Sequence, residues 1–249
     1  MAKFFDYKFD DSIAVYPLGD MHIGSPQCDM GLVQRAIDKV MSNDHYYCVL
    51  LGDQLDMALA GSKSDVYTAT CTPGKAIINV ANSFRPLVEA GKVLAILDGN
   101  HEDRLRRMAG VSPSEMIAEI LQRRDLYCPT TAVLKLTIGD RTSTVYCSHG
   151  NGGGARIGGK ANALEKLSWV CDADVIMAGH THTPMAFRNC KIDINTANGV
   201  ETVRSRLFVN CASCLTYLDS YGENKGYVPS SNIYPIVHFF KDHDPAVIL

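Results

Sequence analysis

Long apolar runs are missing from this chain. No window approaches about 18 consecutive apolar residues, so no membrane-spanning helix is expected. A surplus of one charge is missing too. The 24 Lys and Arg face 27 Asp and Glu, a net of −3, which gives no sign of a nucleic-acid or membrane partner. The opening MAKFFDYKFDDSIAVYP carries three Asp and no sustained apolar core, so no secretory signal reads there and a cytoplasmic protein is expected. Nine Cys at irregular spacing make no disulfide framework and suit reduced thiols. Cys48, Cys128, Cys147 and Cys171 sit in or beside apolar runs and read as core, and Cys211 and Cys214 form a lone CxxC. Tryptophan is nearly absent: Trp169 stands alone, at helical spacing with Leu164 and Leu167, and is expected in the core. Repeats and low-complexity tracts are absent, and 46% hydrophobic with 20% charged residues exclude disorder and fibrous structure. With no linker in 249 residues, a single domain spanning 1–249 is expected.

What is there is an alternation of short apolar strands and helical patterns. Residues 12–18 read as a buried strand ending at Gly19. A helix follows over 29–42, with Asp29 as N-cap and Leu32, Val33, Ala36, Ile37 and Val40 on one face. Strands are expected at 46–51 and 93–98, ending at Gly52 and Gly99, with a helix between them from Pro73 to about residue 90. Ser112–Pro113 starts another helix, to about residue 124. The second half reads as a hairpin over AVLKLTIGDRTSTVYCSH, a glycine-rich loop, a helix to Trp169 and the strand DVIMAGH. A second hairpin turns at Asn198–Gly199, predicted as type I′, and YPIVHFF is the last strand.

The polar residues gather where strands end: Gly19–Asp20, Gly52–Asp53, Gly99–Asn100, Ser148–His149 and Gly179–His180. In α/β sheets ligands bind at the carboxyl ends of strands. Asp20 and His22 are two residues apart, as are His180 and His182, a spacing that points both side chains of extended backbone to one side. Five of the eight His (His22, His101, His149, His180, His182) fall in these segments. A mixed Asp, Asn and His set suits borderline or hard divalent ions, not a thiolate site.

The series GDMH (19–22), GDQLD (52–56), GNHE (99–102), SHG (148–150) and GHTH (179–182) resembles the five blocks of the calcineurin-like metallophosphoesterase superfamily, in family order. The resemblance implies an α/β fold, a four-layer αββα sandwich with two mixed β-sheets, and the strand-rich tail to residue 249 resembles its second sheet. It also implies two divalent metal ions, Mn first, with Fe, Zn, Ni or Mg as alternatives. Asp20, His22 and His182 would bind one metal, Asp53 would bridge both, and Asn100, His149 and His180 would complete the second. His101 would protonate the leaving oxygen, and Asp56 would orient His101. Gly150 and Asn151, in the GNGGG loop, are candidates for meeting a phosphate through backbone N–H groups. Arg104, with Arg106 and Arg107, follows GNHE and is a further substrate-binding candidate. Tyr217, Tyr221 and Tyr227 cluster where relatives carry substrate-side loops.

The implied activity is hydrolysis of phosphodiesters, or nucleotide-like phosphoesters, by a metal-bridging hydroxide. The partner is then a small-molecule or nucleotide substrate, with a homodimer allowed by family analogy. One alternative is a DNA nuclease resembling the superfamily's repair exonucleases, but only 67 residues follow His182 and most are needed for the second sheet. A phosphomonoesterase is another. The protein-phosphatase branch carries Arg after the second block and before GNHE, where this chain has Met57 and Asp98. Met57 offers a phosphate dianion no donor and leaves room for a second ester group, which favours diesters. A non-catalytic binding scaffold would typically have lost ligands, and here every ligand position is occupied.

Overall fold

The computed structural model describes residues 2–62 and 64–249, with Tyr221 described by its backbone alone. Its strands are β1 (Lys3–Phe9), β2 (Ile13–Leu18), β3 (Tyr46–Leu50), β4 (Val93–Leu97), β5 (Tyr127–Cys128), β6 (Thr131–Ile138), β7 (Arg141–Ser148), β8 (Val175–Ala178), β9 (Met185–Asn195), β10 (Val200–Asn210), β11 (Ile236–Phe239) and β12 (Ala246–Ile248). Its helices are α1 (Met30–Met41), α2 (Pro73–Glu89), α3 (Asn100–Ala109), α4 (Pro113–Ile120), α5 (Ile157–Lys166) and the short α6 (Tyr221–Asn224).

Two mixed six-stranded sheets result, in the orders β1-β6-β7-β8-β10-β9 and β12-β11-β2-β3-β4-β5. Strand parity explains the layering. In β2, Ile13 and Val15 face the other sheet, where they meet Leu134, Val145, Val175 and Val209. Ala14, Tyr16 and Leu18 face outward beneath α1, α2 and α4, against Val33, Ile37, Val80 and Phe84. On the far side, Leu164 of α5 covers Tyr146, Ile176 and Phe208. The fold is therefore the expected α/β sandwich of two mixed sheets with helices outside them. Strands buried on both faces carry near-continuous apolar sequence, which is why β2, β3 and β4 were plain to read.

Several expectations need correction. Trp169 is 80% exposed, not core. α5 stops at Lys166 and a 3₁₀ turn carries Leu167–Trp169, so three residues per turn replace 3.6 and the indole swings out of phase with Leu164. Cys171 is half-buried, whereas Cys48, Cys128 and Cys147 are buried. The β9–β10 hairpin pairs Asn195 with Val200 across a four-residue loop, so its turn is not type I′: Gly199 has φ +72° and Asn198 is not in the left-handed region. YPIVHFF is followed by one more strand, β12. β1 and α3 were not foreseen. α3 (NHEDRLRRMA) has no apolar stripe to betray it, and only Glu102 of its residues is buried.

One close approach decides how the strand ends meet. A Cβ on Gly52, at φ +92°, would lie 2.5 Å from Gly99 N, and one on Gly99 would lie 2.1 Å from Asp53 Oδ1. Both neighbours are backbone or site atoms that cannot give way. Gly91 is a useful contrast: φ is +68°, but a Cβ there meets nothing within 4 Å. Gly91→Ala should therefore cost only the left-handed penalty, about 1–2 kcal/mol. Gly52→Ala should cost ~4 kcal/mol or more, the range of exceptional substitutions. Urea unfolding followed by circular dichroism checks this; equal midpoints for the two variants would refute the close-approach argument.

Candidate metal centre

The five blocks converge at the carboxyl ends of β2, β3, β4, β7 and β8. The ligand-bearing turns after β2, β3 and β8 leave their strands through left-handed backbone: Asp20 (φ 53°), His22 (52°), Asp53 (51°), His180 (70°) and His182 (53°). Non-glycine residues rarely hold this conformation, and such strain clusters at functional sites.

On one side Asp20, His22 and His182 bring their ligand atoms within 4.8 Å of one another. His22 Nε2 is 3.1 Å from His182 Nε2, and His182 Nε2 is 3.6 Å from Asp20 Oδ1. On the other side Asp53, His149 and His180 form a second such group. Asn100 Oδ1 joins it, 2.7 Å from His180 Nδ1 and 3.0 Å from His149 Nε2. Asp53 lies between: its Oδ2 is 3.3 Å from His149 Nε2 and 4.0 Å from His22 Nε2. A third group, His22, Asp53 and His101, spans the two.

Asp20, His22, Asp53 and His149 are all buried, and the charges follow from that. Burial pushes Asp20 up to about 7, with Asp53 adding to it. Burial alone would raise Asp53 as well, yet His149 and His101 outweigh it and hold the carboxyl well below its usual range. Burial works against a charged His149, but Asp53 prevails and the ring is pushed up to about 10. Burial, then His149, lowers His180 to about 4. Burial, then His22, holds His182 well below the usual imidazole range. His180 and His182 are thus neutral rings, as cation binding requires, whereas His149 has to give up a proton before its nitrogen can serve as a ligand.

The donor set fits divalent metal. Asp20 Oδ1 and His22 Nδ1 are buried polar atoms with no hydrogen-bond partner, and an unpartnered buried carboxylate oxygen beside two imidazole nitrogens is satisfied by a cation. Oxygen and imidazole nitrogen donors suit Mn, Fe, Zn or Ni. His149 is oriented for the task, its Nδ1 lying 2.9 Å from Leu51 O so that Nε2 faces Asp53.

His101 stands at the rim of this group. Its Nδ1 is 2.7 Å from the main-chain O of Asp56 and 3.0 Å from Asp56 Oδ1, while its Nε2 is 3.8 Å from Asp53 Oδ2. Arg104 lies against the same ring. Its Nη2 is 2.9 Å from His101 Nε2, and its Nη1 donates to Asp56 O at 3.0 Å and Ser64 Oγ at 2.8 Å. Arg106 and Arg107 are instead ion-paired with Asp103. Gly150 packs against the end of β8, 3.4 Å from Gly179 O as measured from its would-be Cβ, and Asn151 is exposed. Tyr217 donates to Tyr227 O at 2.7 Å, and the Tyr221 side chain lies outside the described residues. Met57 is only 2% exposed and belongs to the apolar cluster that holds Ile23 and Ala76, with Cys71 against it.

Glu102 was not singled out from sequence. It is fully buried, and its carboxylate gathers N–H groups from both neighbouring loops: Oε2 accepts from Gly99 N at 2.8 Å and Asp53 N at 2.9 Å, and Oε1 from Gln54 N at 2.9 Å. It is the third residue of α3 reaching back to the cap, a capping-box half that also crosses to the next strand. The signal was available in the E of GNHE, but only the fold shows what it holds. Glu102→Gln puts an N–H where an acceptor is needed and should cost about 1–3 kcal/mol. A urea midpoint unchanged from wild type would mean that the clamp is the protonated acid.

No family model matches the chain, and no curated protein matches it. Solved structures do. A conserved protein of Streptococcus pneumoniae described as a predicted phosphoesterase is 14% identical, with 95% of this chain and 97% of that one covered and a TM-score of 0.40. Vacuolar Protein Sorting 29 of Cryptosporidium parvum is 14% identical over 96% and 97%, at a TM-score of 0.45. Vps29 of Entamoeba histolytica, solved in complex with Zn²⁺, is 14% identical over 95% and 97%, at 0.36. The five blocks, their order and their convergence on one cluster of Asp, Asn and His are where this chain resembles the calcineurin-like metallophosphoesterases.

Proposed function

We propose that the chain is a dinuclear-metal-dependent phosphoesterase with a preference for phosphodiesters. The observation that carries this is two adjacent ligand groups, Asp20, His22 and His182 beside Asp53, His149 and His180, with Asp53 Oδ2 4.0 Å from His22 Nε2 and with His101 beside them but hydrogen-bonded to Asp56. Asp20, His22 and His182 would hold one ion and Asn100, His149 and His180 the other, with Asp53 between. The ions would supply a nucleophile from water at neutral pH and charge stabilisation at the phosphoryl oxygens.

His101 would act as the general acid. Asp56 holds the ring through Nδ1, which leaves Nε2 facing the centre of the cluster. Asp56 itself is fixed by Ser64 Oγ at 3.0 Å. As it stands, Arg104 Nη2 donates to His101 Nε2, so the proton of the neutral ring sits on Nδ1. To protonate a leaving oxygen, Nε2 must take a proton and Nη2 must let go, while Nη1 keeps the guanidinium anchored on Asp56 O and Ser64 Oγ. His101→Asn should keep the fold and both metals and lose about 10²–10⁴ in turnover. The loss should shrink for nitrophenyl esters, whose leaving oxygen needs little protonation. Equal losses for alkyl and nitrophenyl esters would remove the acid role.

The diester preference rests on Arg104. A monoester dianion calls for a two-pronged guanidinium. Among the described residues Arg106 and Arg107 are committed to Asp103, and Arg104 has both terminal nitrogens engaged, Nη1 with Asp56 O and Ser64 Oγ and Nη2 with His101 Nε2. A guanidinium already engaged in this way suits the single charge of a diester better than a dianion. kcat/KM for bis(p-nitrophenyl) phosphate should exceed that for p-nitrophenyl phosphate with Mn²⁺ at one pH. The reverse order would overturn the preference, and turnover of linear DNA alone would favour a nuclease instead.

A further inference from the structure

The segment after β10 reads Cys211-Ala-Ser-Cys214, and it grips the turn that carries Asp20. Ser213 Oγ donates to Asp20 O at 2.8 Å and Cys214 N donates to the same oxygen at 3.1 Å. Tyr234 Oη donates to Gly19 O at 2.6 Å. Cys211 N is bonded to Ala178 O at 2.8 Å, so the segment is fixed to the end of β8 while it holds the end of β2. The first-metal ligands Asp20 and His22 come from one of these strand ends and His182 from the other.

The thiol of Cys211 is fully buried at the junction. A Cβ on Gly19 would lie 3.3 Å from its Sγ, and one on Gly179 would lie 3.2 Å from Sγ and 3.0 Å from Asp20 Oδ2. The sulfur therefore sits in a slot walled by two glycines, one from each sheet. From there it donates to Asp20 Oδ2 at 3.3 Å. Asp20 Oδ1 is left buried, without a hydrogen bond, on the side of His182.

We propose that Cys211 is the positioning residue of the first metal site: its S–H occupies Oδ2 and so commits Oδ1 of Asp20 to the cation. This rests on the metal-site reading above. An outer partner of this kind typically changes metal affinity by about 10–100-fold when removed. The CxxC is then neither a redox pair nor a ligand pair; its first thiol orders a carboxylate.

The test is Mn²⁺ titration of the chelator-stripped full chain by calorimetry, with electron paramagnetic resonance to tell a coupled ion pair from isolated ions. Wild type should bind two ions as a coupled pair. Cys211→Ala should hold one ion with wild-type affinity and the other about 10–100-fold more weakly, while Cys211→Ser, which keeps a donor, stays within about threefold of wild type at both. Cys211→Ala binding two ions as tightly as wild type overturns the proposal. If Cys211→Ala does not fold by circular dichroism, Cys211→Ser decides: retained affinity at both ions supports the donor role, and a folded Cys211→Ser that has lost one ion overturns it. Wild type that binds no Mn²⁺ overturns the metal-site reading itself, an outcome separate from the others.

Discussion

Glu102 puts one carboxylate where two strand ends must touch. Its oxygens take N–H groups from Gly99, Asp53 and Gln54, so the turns after β3 and β4 are tied together at the point where each launches a ligand. Without an acceptor there, three backbone donors would be stranded in a fully buried space, each at a cost of about 1–3 kcal/mol. Because the tie is made to backbone, it fixes the directions in which Asp53 and Asn100 leave the main chain. His101 N then donates to Asp53 Oδ1 at 2.8 Å, which settles the rotation of the carboxyl between the two ligand groups.

The ligand turns after β2, β3 and β8 share a second constraint. Five Asp and His residues sit at φ between 51° and 70°, a conformation that carries a cost of its own. Turning the chain so sharply lets a strand buried on both faces end abruptly and present its next side chain at the sheet rim. The surrounding hydrogen bonds hold these turns: Asp20 N to Gly52 O, His22 N to Asp53 O and Gly179 N to His149 O link each strand end to the next. Strain and desolvated charge are thus concentrated in one place, with the apolar layers on either side providing the rigidity.

Much of this was legible because it is local. The doubly buried strands are continuous apolar runs, and the glycine-plus-polar pairs directly after them mark the rim. What was hidden depends on contacts between distant parts of the chain. Cys211 meets Asp20 across 191 residues, and nothing in an isolated CxxC says that its thiol will face a carboxylate. Met57 follows a site residue but turns, at φ 45°, into the layer of α2, so adjacency in sequence misled where backbone direction decided. α3 was missed because a helix whose polar residues serve a site has little apolar periodicity to show. Arg104 was legible as a cation near the site, but its engagement with His101 was not.

The outward swing of the indole in the 3₁₀ turn after α5 has a spectroscopic consequence. Trp169 is the only tryptophan in the chain, and at 80% exposed it meets water before unfolding as well as after. Its emission will therefore change little when the sandwich comes apart, and an intrinsic-fluorescence melt would make a cooperative core look featureless. The buried Tyr16 and Tyr146, one on each outer sheet face, are the chromophores whose surroundings change when the layers separate.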